Sequence, residues 1–544
     1  MKALGLLFCL AIAVGTPSSA GSDDRPNVLW LSVEDMSPWI ACYGDATVPT
    51  PNLDRLAAGS VRFVNAFASS PVCAPARSSL ITGMYATRIG TLQMRTGNPS
   101  KAALERDPEA YAEIPVYEGV PPEWVRCFPE LLRRAGYYCT NRSKTDYQFK
   151  APVTVWDASG RDAHWRDRAE GQPFFAVFNH TGTHESQAFP NARLRPEVVT
   201  AAEVPVPPLY PDTPAVREAL ARTYNNIAAM DRWVGERLDE LEAEGLAEST
   251  VVFFFSDHGV GLPRGKRSPY DLGTRVPLLV RRLGGADGGS TSDRVVSFVD
   301  FGPTVLSLAG IDPDGAVRGR MDGRAFLGRF AEQGTGTAFA HADRFDSVYD
   351  RARSVSDGRF RYVRNLVTDR PHLIANAYRD NLPMMVDLYA LRDRDDVPAS
   401  QWQIASRSRP HEELYDSTTD PWEVVNLVDD PAHAETLARL RSALDVWIAE
   451  TGDLGLVLPE RRMVETRLWD GETKPATAPP TLARSGELVS LACRTPGASI
   501  GYRTREEGPW SVYTGAFDPG EAELLFVRAH RIGFAPADER FALR

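Results

Sequence analysis

The chain has 544 residues, of which 43% are hydrophobic and 24% charged, and its formal net charge is −11. The composition is that of a globular protein, and the length exceeds one ordinary hydrophobic core, so two or three domains are expected. The negative charge argues against nucleic acid or an anionic membrane as a partner, although a local cluster of Lys and Arg can still bind an anionic substrate.

The N-terminus has the pattern of a secretory signal. Met1-Lys2 precedes an apolar run from Ala3 to Val14, and small residues lead to Ala20. This pattern predicts a signal peptide over residues 1–20, with cleavage after Ala20, and therefore export to the periplasm or the medium. The run is shorter than the ~20 residues of a membrane span, and no later segment is apolar enough to be one.

Apolar runs without polar alternation recur along the chain, as in strands buried on both faces of a parallel sheet. They are NVLWLSV (Asn27–Val33), PFFAVFNH (Pro173–His180), TVVFFFSDHG (Thr250–Gly259) and VPLLV (Val276–Val280). Helical patterns lie between them. Strands that alternate with helices predict a layered α/β domain.

The clearest helical pattern runs from about Pro214 to Glu244, and Gly245 follows as a C-terminal stop. Apolar residues recur there three, four or seven positions apart, at Val216, Leu220, Ile227, Val234, Leu238 and Leu241.

Polar side chains follow three of the predicted strands. Glu34-Asp35 come after the first, His180 and His184 after the second, and Asp257-His258 after the third. Ligands of open α/β sheets bind beyond the carboxyl ends of the strands. Three such coincidences therefore predict a functional site at this edge.

The pattern changes in the last third of the chain. His411–Leu427 indicates a strand followed by a turn and a loop, and a helix is predicted near Ala434–Glu450. A Pro- and Thr-rich linker and short alternating segments follow. The predicted division is a catalytic domain at 21–375, a smaller α+β subdomain at 376–469, a linker at 470–481 and a small β module at 482–544.

Glu34, Asp35 and Asp257 are hard oxygen ligands that repel one another unless a cation lies among them. Calcium and magnesium accept such sets, and His258 would bind the edge of the metal or the substrate anion. The alternative is that Glu34 and Asp35 cap a helix or turn. With Asp257-His258 after another strand, the metal site is favoured.

Basic residues in loops or at helix starts complement this edge. Arg77, Lys144 and Lys266 would each alone be a solvated charge, but together with a divalent cation they can bind a tetrahedral oxyanion. Cys73 precedes Arg77 at the start of a predicted helix. A thiolate could be activated there, yet hard metal ligands suit an oxygen nucleophile better than a soft sulfur.

Cysteines are few and form no repeated spacing, so neither a disulfide framework nor a zinc site is predicted. Cys127 and Cys139 could pair, and the sequence leaves this open.

The stretch CAPAR at Cys73–Arg77, followed by SSLITG, resembles the signature of type I sulfatases, in which the motif cysteine is oxidised to formylglycine (3-oxoalanine) by a formylglycine-generating enzyme. The resemblance spans roughly residues 25–460 and implies an alkaline-phosphatase-like α/β fold. Its other segments are RPNVLWLSVEDMSP, PTPNLDRLAAGSVRF, SDHG, YDLGTRVPLLV and ELYDSTTDPWEVVNL.

The resemblance also implies site residues. The calcium ligands would be Glu34, Asp35, Asp257 and His258, although Glu34 departs from the usual Asp-Asp pair. The implied catalytic residues are Cys73 (as formylglycine), Arg77, Lys144, His184 and Lys266.

Three of these positions depart from the family pattern or have a competitor. Asp146 replaces the histidine of the family's Gly-Lys-Trp-His segment, to which Lys144 belongs. His180 competes with His184 for the histidine that contacts sulfate. Lys266 stands where the sulfamidase type has arginine.

The implied mechanism uses the hydrated aldehyde. One hydroxyl displaces the substrate oxygen or nitrogen, with His184 or Lys266 giving a proton to the leaving group, and the second hydroxyl then expels sulfate. SKTDYQF and TGDLGLVLPE indicate a subgroup similar to N-sulfoglucosamine sulfohydrolase. His341, Arg344 and Asp346 would then bind the sugar, the alternative being a surface loop with a helix cap.

The leading hypothesis is a calcium- and formylglycine-dependent sulfatase that acts on a sulfated polysaccharide, a glycosaminoglycan or their oligosaccharides. A related phosphodiesterase or phosphonate hydrolase would use the same nucleophile. A catalytically silent glycan-binding protein is the third hypothesis, in which Cys73 is never converted and the C-terminal module binds the glycan.

Overall fold

A computed structural model describes residues 25–94, 105, 108, 117–316, 321–346, 348–457, 460–465 and 473–543. The predicted signal peptide and the first residues of the predicted linker, 470–472, lie outside this part of the chain.

The strands, in chain order, are β1 (Asn27–Val33), β2 (Val61–Phe67), β3 (Tyr138–Arg142), β4 (Ala158–Ser159), β5 (Phe174–His180), β6 (Thr250–Ser256), β7 (Arg275–Arg281), β8 (Thr291–Ser297), β9 (Ala338–Ala342), β10 (Ala352–Ser356), β11 (Phe360–Asn365), β12 (Glu412–Asp416), β13 (Thr481–Ser485), β14 (Leu488–Ala492), β15 (Ser499–Arg503), β16 (Ser511–Val512), β17 (Leu524–His530) and β18 (Ala537–Ala542).

The α-helices are α1 (Pro51–Ala58), α2 (Cys73–Thr82), α3 (Ala86–Ile89), α4 (Phe128–Arg134), α5 (Pro214–Ala243), α6 (Asp271–Thr274), α7 (Phe301–Leu308), α8 (Pro313–Ala316), α9 (Met384–Ala390), α10 (Trp402–Ala405), α11 (Ala434–Thr451), α12 (Leu454–Val457) and α13 (Glu460–Met463).

The main sheet has eight strands in the order β4-β3-β5-β1-β6-β7-β2-β8. Its centre is parallel, since β1 pairs with β5 on one side and with β6 on the other in the same direction. The carboxyl ends of β1, β5 and β6 therefore lie side by side. This confirms the sequence-based α/β prediction and brings the three predicted strand ends to one edge.

The strand at VPLLV does not fit the parallel expectation. It forms β7, which runs antiparallel to both β6 and β2. The connection from β6 to β7 contains only the four-residue helix α6. A parallel return usually places a full crossover helix on one face of the sheet, whereas residues 257–274 form no such helix and β7 returns antiparallel.

Hydrophobic cores cover both faces of the sheet. Side chains of β1 alternate between them, with Leu29 and Leu31 in the core on one face and Val28 and Trp30 in the core on the other. The Trp30 ring lies between 5.0 and 6.2 Å from the ring centroids of five phenylalanines. Burial on both faces is why these strands are continuously apolar.

Helix α5 covers one face of the sheet and forms as its sequence predicts. Thr213 caps its N-terminus by accepting a hydrogen bond from the backbone N–H of Val216 at 3.3 Å, and Pro214 occupies the first turn. Gly245 follows its end with φ 68°, a left-handed conformation that favours glycine. The six apolar residues of the predicted stripe are all buried.

A second, antiparallel sheet has the order β12-β11-β10-β9, and α11 packs on it through Leu440, Leu444 and Trp447. Its strands come from both sides of residue 375, so this sheet joins residues of the two predicted sulfatase domains. The domain division stays a prediction.

The C-terminal residues form two small antiparallel sheets, β13-β14 and β16-β15-β17-β18, with a core between them. This module contacts the body of the protein at α4, where the Ser499 hydroxyl donates to Glu130 Oε2 at 2.6 Å.

Cys127 and Cys139, whose pairing the sequence left open, are both buried free thiols. Within the described residues, no helix is both long and apolar enough to cross a bilayer.

Candidate active site

The first strand end supplies two buried carboxylates. Glu34 and Asp35 follow β1 directly and are 2% and 1% exposed. Asp35 has φ 50°, and this left-handed turn ends the strand. Its backbone N–H donates to Asp257 Oδ1 at 3.2 Å, across the gap between β1 and β6. The residues that follow β1 and β6 are therefore hydrogen-bonded to each other at the carboxyl edge of the sheet, as expected for neighbouring parallel strands.

The neighbouring strand β6 delivers Asp257 and His258, both with no exposed surface. His258 Nε2 lies 3.1 Å from Asp35 Oδ1 and 3.3 Å from Cys73 Sγ. Its Nδ1 lies 2.9 Å from the carbonyl of Gly259, an acceptor that assigns a proton to Nδ1. The backbone carbonyl of the next residue thus fixes the orientation of the ring.

Cys73 is the first residue of α2 and is fully buried. Burial raises the pKa of its thiol, but the charges of Lys144 and Lys266 outweigh it and lower the pKa to about 6. The helix N-terminus also favours negative charge at this position. Position 73 is therefore built to hold an anion.

Arg77 lies one turn further along α2 and points to the same edge. Its Nε donates to Asp257 Oδ2 at 2.9 Å and its Nη1 to Asn179 Oδ1 at 2.8 Å. Its Nη2 is buried and has no hydrogen-bond partner in the described part of the chain. One donor of this guanidinium is thus available to a ligand.

Two lysines complete the cationic side. Lys266 Nζ donates to both oxygens of Asp35, at 3.0 and 2.8 Å, and lies 3.7 Å from Cys73 Sγ. Lys144 Nζ lies 3.0 Å from Glu34 Oε2 and 3.8 Å from Asp146. Burial lowers the pKa of Lys266, but the negative charges around it, that of Asp35 first among them, together have the larger opposite effect, and the pKa lies well above its usual value.

His184 joins the cluster, whereas His180 does not. One ring nitrogen of His184 lies within 4.8 Å of ligand atoms of Glu34, Asp35 and Cys73. The backbone N–H of Ser186 donates to His184 Nδ1 at 3.3 Å, which leaves Nε2 to carry the proton. His180 instead packs against Trp233 at 4.9 Å between ring centroids, and its buried Nε2 has no hydrogen-bond partner among the described residues.

The carboxylates and cations balance. Glu34, Asp35, Asp257 and the Cys73 thiolate carry four negative charges, and Arg77, Lys144, Lys266 and protonated His258 carry four positive ones. Burial lowers the pKa of His258, but Asp257 and Asp35 raise it to about 10. Burial raises the pKa of Asp257, yet the charges of His258 and Arg77 hold it at about 2, so it stays ionised.

The donor set fits a hard cation. Asp35, Asp257, His258 and Cys73 offer ligand atoms within 4.8 Å of one another. In addition, Glu34 Oε1 is buried without a hydrogen-bond partner among the described residues. An ionised carboxylate oxygen buried in this way is costly unless a cation or a donor reaches it. The site therefore has the chemistry for Ca²⁺.

The sequence analysis missed two charged residues beside the site. Glu185 accepts two hydrogen bonds from Arg267 at 2.8 Å, lies 3.2 Å from Lys266 Nζ, and donates its backbone N–H to Asp35 at 2.7 Å. Arg267 also donates to Asp346 Oδ2 at 2.9 Å. Their positions directly after His184 and Lys266 were the available signal.

The predicted sugar-binding residues lie on and after β9. His341 is fully buried, with Nδ1 2.8 Å from Asp343 Oδ2, and its Nε2 has no partner in the described residues. Arg344 donates two hydrogen bonds to Glu460 at 2.7 and 2.6 Å. Asp346 connects to the cluster through Arg267, whereas the Arg344 guanidinium is engaged by Glu460.

Comparison with known proteins gives a family and a fold. The family model described as Sulfatase matches residues 26–311. An ulvan-active sulfatase of Formosa agariphila is 40% identical over 94% of this chain and 90% of its own length. Human N-sulphoglucosamine sulphohydrolase is 29% identical over 80% of this chain and 92% of its own.

Among solved structures, a protein in complex with its substrate D-glucosamine-2-N,6-O-disulfate superposes with a TM-score of 0.54 at 17% identity. The match covers 80% of this chain and all of the other. At this identity, the likeness concerns the fold alone.

Proposed function

The chain belongs to the sulfatase family of sulfuric ester hydrolases, and on this premise we propose that it removes sulfate from a sulfated polysaccharide, a glycosaminoglycan or their oligosaccharides. Two similar relatives support this substrate class, one named for ulvan and one for N-sulphoglucosamine. Sulfate esters and sulfamates both fall within the proposal. The predicted leader over residues 1–20 would export the enzyme to the periplasm or the medium.

The observation that carries the proposal is the position of Cys73. Its sulfur is buried among hard carboxylates and cations, 3.3 Å from His258 Nε2 and 3.7 Å from Lys266 Nζ. Soft sulfur is a poor partner for such a set, and an oxygen nucleophile fits it better. We therefore propose that a formylglycine-generating enzyme converts Cys73 to formylglycine, whose hydrated aldehyde supplies the oxygen nucleophile. Because Cys73 is fully buried, this conversion would precede folding.

We propose calcium as the resident ion, held by Glu34, Asp35, Asp257 and His258. The buried oxygen of Glu34, which has no partner among the described residues, supports this, as do two overlapping ligand groups that share Asp35 and Cys73, one with Glu34 and the other with Asp257 and His258. The ion would supply a hard positive charge that polarises the sulfate. Since the protein charges already balance, a divalent cation leaves the site with excess positive charge, which suits an anionic substrate.

Residues of the chain would bind the sulfate, position the nucleophile and protonate the leaving group. Arg77, through its unpartnered Nη2, and Lys144 would bind sulfate oxygens. Lys266 would hold Asp35 and the nucleophile in place, since it contacts both. His184 would give a proton from Nε2 to the leaving oxygen or nitrogen as its bond to sulfur breaks.

Around this centre, His341, Arg344 and Asp346 stay proposed as substrate-binding residues. His341 has the unpartnered Nε2 to donate or accept. Arg344 and Asp346 would act through their present partners, Glu460 and Arg267, by shaping the pocket wall.

The experiment measures chemistry and modification in the same preparation. Natively produced protein is digested and the peptide that contains Cys73 is analysed by mass spectrometry. Turnover is followed on 4-nitrophenyl sulfate, 4-nitrophenyl phosphate and phenylphosphonate esters. We expect formylglycine at position 73 and hydrolysis of the sulfate ester that clearly exceeds hydrolysis of either phosphorus ester.

Two variants and a substrate panel sharpen the test. Cys73→Ser should lose repeated turnover, since a serine lacks the second hydroxyl that releases sulfate, and Cys73→Ala should be inactive. A panel of sulfated disaccharides, with N-sulfate and O-sulfate members, defines the linkage. An active enzyme with unmodified Cys73, or a preference for phosphonate esters, would contradict the proposal.

A further inference from the structure

The outer face of the C-terminal sheet β16-β15-β17-β18 carries a regular pattern of arginines and aromatic rings. In the strand register, Arg503 of β15 lies opposite Phe526 of β17, which lies opposite Arg540 of β18. One row further along, Arg528 lies opposite Asp538. Because alternate residues of a strand share a face, these side chains stand on the same side of the sheet.

The five cationic and aromatic side chains form one continuous stack, here called the arginine ladder. Its order is Arg528, Trp510, Arg503, Phe526, Arg540. The guanidinium carbons of Arg528 and Arg503 lie 5.3 and 4.4 Å from the Trp510 ring centroid, and those of Arg503 and Arg540 lie 6.0 and 5.5 Å from that of Phe526. Each ring thus contacts two guanidinium groups, and this stacking restricts the flexible arginine side chains.

Most hydrogen-bonding capacity of this ladder is unused. Arg528 is paired with Asp538 by two hydrogen bonds at 2.6 and 2.7 Å. Arg503 donates one Nη1 bond to the Gly508 carbonyl at 3.2 Å, while its Nε is buried without a partner in the described residues. Arg540 is exposed and forms no ion pair with any described residue. Apart from the buried Nε of Arg503, the N–H groups of Arg503 and Arg540 that bond no described residue lie beside aromatic rings.

The ladder begins where the module meets the rest of the protein. On the same face, Ser499 donates to Glu130, and a Cβ at Gly501 would lie 2.8 Å from Val153 Cγ2. From Arg503 onward the face is open, and its side chains are partly or fully exposed. The contact with the body thus fixes the ladder's orientation without covering it.

We propose that the arginine ladder binds a sulfated polysaccharide chain, at a site separate from Cys73. Guanidinium groups bind sulfate oxygens through paired N–H donors, as they bind phosphate and carboxylate, and flat aromatic rings pack against the apolar faces of sugars. Across three strands, Arg503 and Arg540 are separated by roughly 10 Å, twice the strand spacing, so they contact different sugar units of an extended chain.

Charge complementarity selects this occupant. The protein carries a net charge of −11, yet the ladder brings three cations together. One of them, Arg528, is paired across the strands with an acidic side chain, Asp538. A row of cations and rings on an open sheet suits an extended polyanion better than a small ion in a pocket. This binding needs no hydrolysis, so the inference goes beyond the proposed function.

The test measures binding of the full-length protein to immobilised dextran sulfate, with unsulfated dextran as the reference, by biolayer interferometry at physiological salt. The variant R503Q/R540Q removes the two arginines with free donors. We expect it to bind dextran sulfate about tenfold more weakly than the wild type, since two charge-assisted contacts are lost. Neither protein should bind dextran.

A matched control removes two charges from the other part of the same module. Arg484 and Arg494 are exposed and lie outside the ladder, so R484Q/R494Q should bind within about twofold of the wild type. R503K/R540K keeps the charges but loses the paired guanidinium donors and the stacking on the rings. Its affinity for dextran sulfate should lie between those of the wild type and R503Q/R540Q. Equal losses in R503Q/R540Q and R484Q/R494Q, or no loss in the former, would overturn the proposal.

Folding and catalysis are controlled separately. If R503Q/R540Q does not fold by circular dichroism, the exposed single variant R540Q takes its place, with about threefold weaker binding expected and no loss again refuting the proposal. Turnover of 4-nitrophenyl sulfate should be unchanged in all variants. Failure of that turnover in the wild type would count against the proposed function alone, since dextran sulfate binding is measured without it.

Discussion

Replacing Arg77 with lysine keeps the charge at this position but removes the fork of donors. Arg77 makes two buried hydrogen bonds, to Asp257 Oδ2 at 2.9 Å and to Asn179 Oδ1 at 2.8 Å. A lysine can reach one of them, so one charge-assisted bond is lost and a buried acceptor loses its donor. Together these changes cost about 3 kcal/mol.

A loss of similar size is expected in the reaction, in which Arg77 is proposed to donate to a sulfate oxygen. Because about 1.36 kcal/mol corresponds to a factor of ten, kcat/KM for an aryl sulfate should fall about 100-fold. Steady-state kinetics measure this, and urea denaturation measures the free energy of unfolding.

The control is Arg55→Lys, since Arg55 makes one exposed ion pair, with Asp239 at 2.7 Å. It should lose less than about 1 kcal/mol of stability and no activity. If Arg77→Lys kept its activity within about threefold of the wild type, the assignment of Arg77 to the sulfate would be refuted.

Three further predictions concern metal, pH and a buried charge. Dialysis against EGTA should lower aryl sulfatase activity at least about tenfold, and Ca²⁺ should restore it more fully than Mg²⁺; unchanged activity in EGTA would exclude a resident calcium ion. Burial lowers the pKa of His530 to about 4, so the unfolded state binds more protons below the unfolded pKa and stability falls as pH drops from about 6.5 to 4. His530→Gln should remove about 2 kcal/mol of the stability difference between pH 7 and pH 5, and equal pH slopes in both proteins would contradict this. Arg353 has no exposed surface and donates to Asp453 at 2.5 and 2.9 Å and to Asp343 at 3.2 Å. Arg353→Met should therefore lower the free energy of unfolding by about 3–5 kcal/mol, because it leaves two buried carboxylates without their cation. A loss below about 1 kcal/mol in urea denaturation would contradict this role.

Much of the site could be predicted because its residues follow strands that are recognisable in the sequence as continuous apolar runs. A strand buried on both faces must be continuously apolar, so the first polar residues after it, such as Asp35 and Asp257, stand at the sheet edge. Cys73 and Arg77 could be placed together because one helical turn separates them. These inferences need only local periodicity and the direction of a parallel sheet.

Other features could not be predicted from local patterns. The direction of β7 depends on how the chain returns from β6, and its apolar run is the same in either direction. Arg267 pairs with both Glu185 and Asp346, which lie far from it in the chain. Such ion pairs are set by side-chain directions in the folded state.

The arginine ladder shows the same division between sequence and tertiary structure. Alternation in ELLFVRAH determines that Phe526 and Arg528 share one face of a strand, because successive side chains point to opposite sides. Strand register alone brings Arg503 and Arg540 to either side of Phe526, since hydrogen bonds between distant segments set that register. The sequence by itself determined the buried strands β1, β5 and β6, the helix α5 and the polar residues that follow those strands. The tertiary structure decided which charges meet, because Coulomb interactions and hydrogen bonds depend on distances that only the packed chain defines.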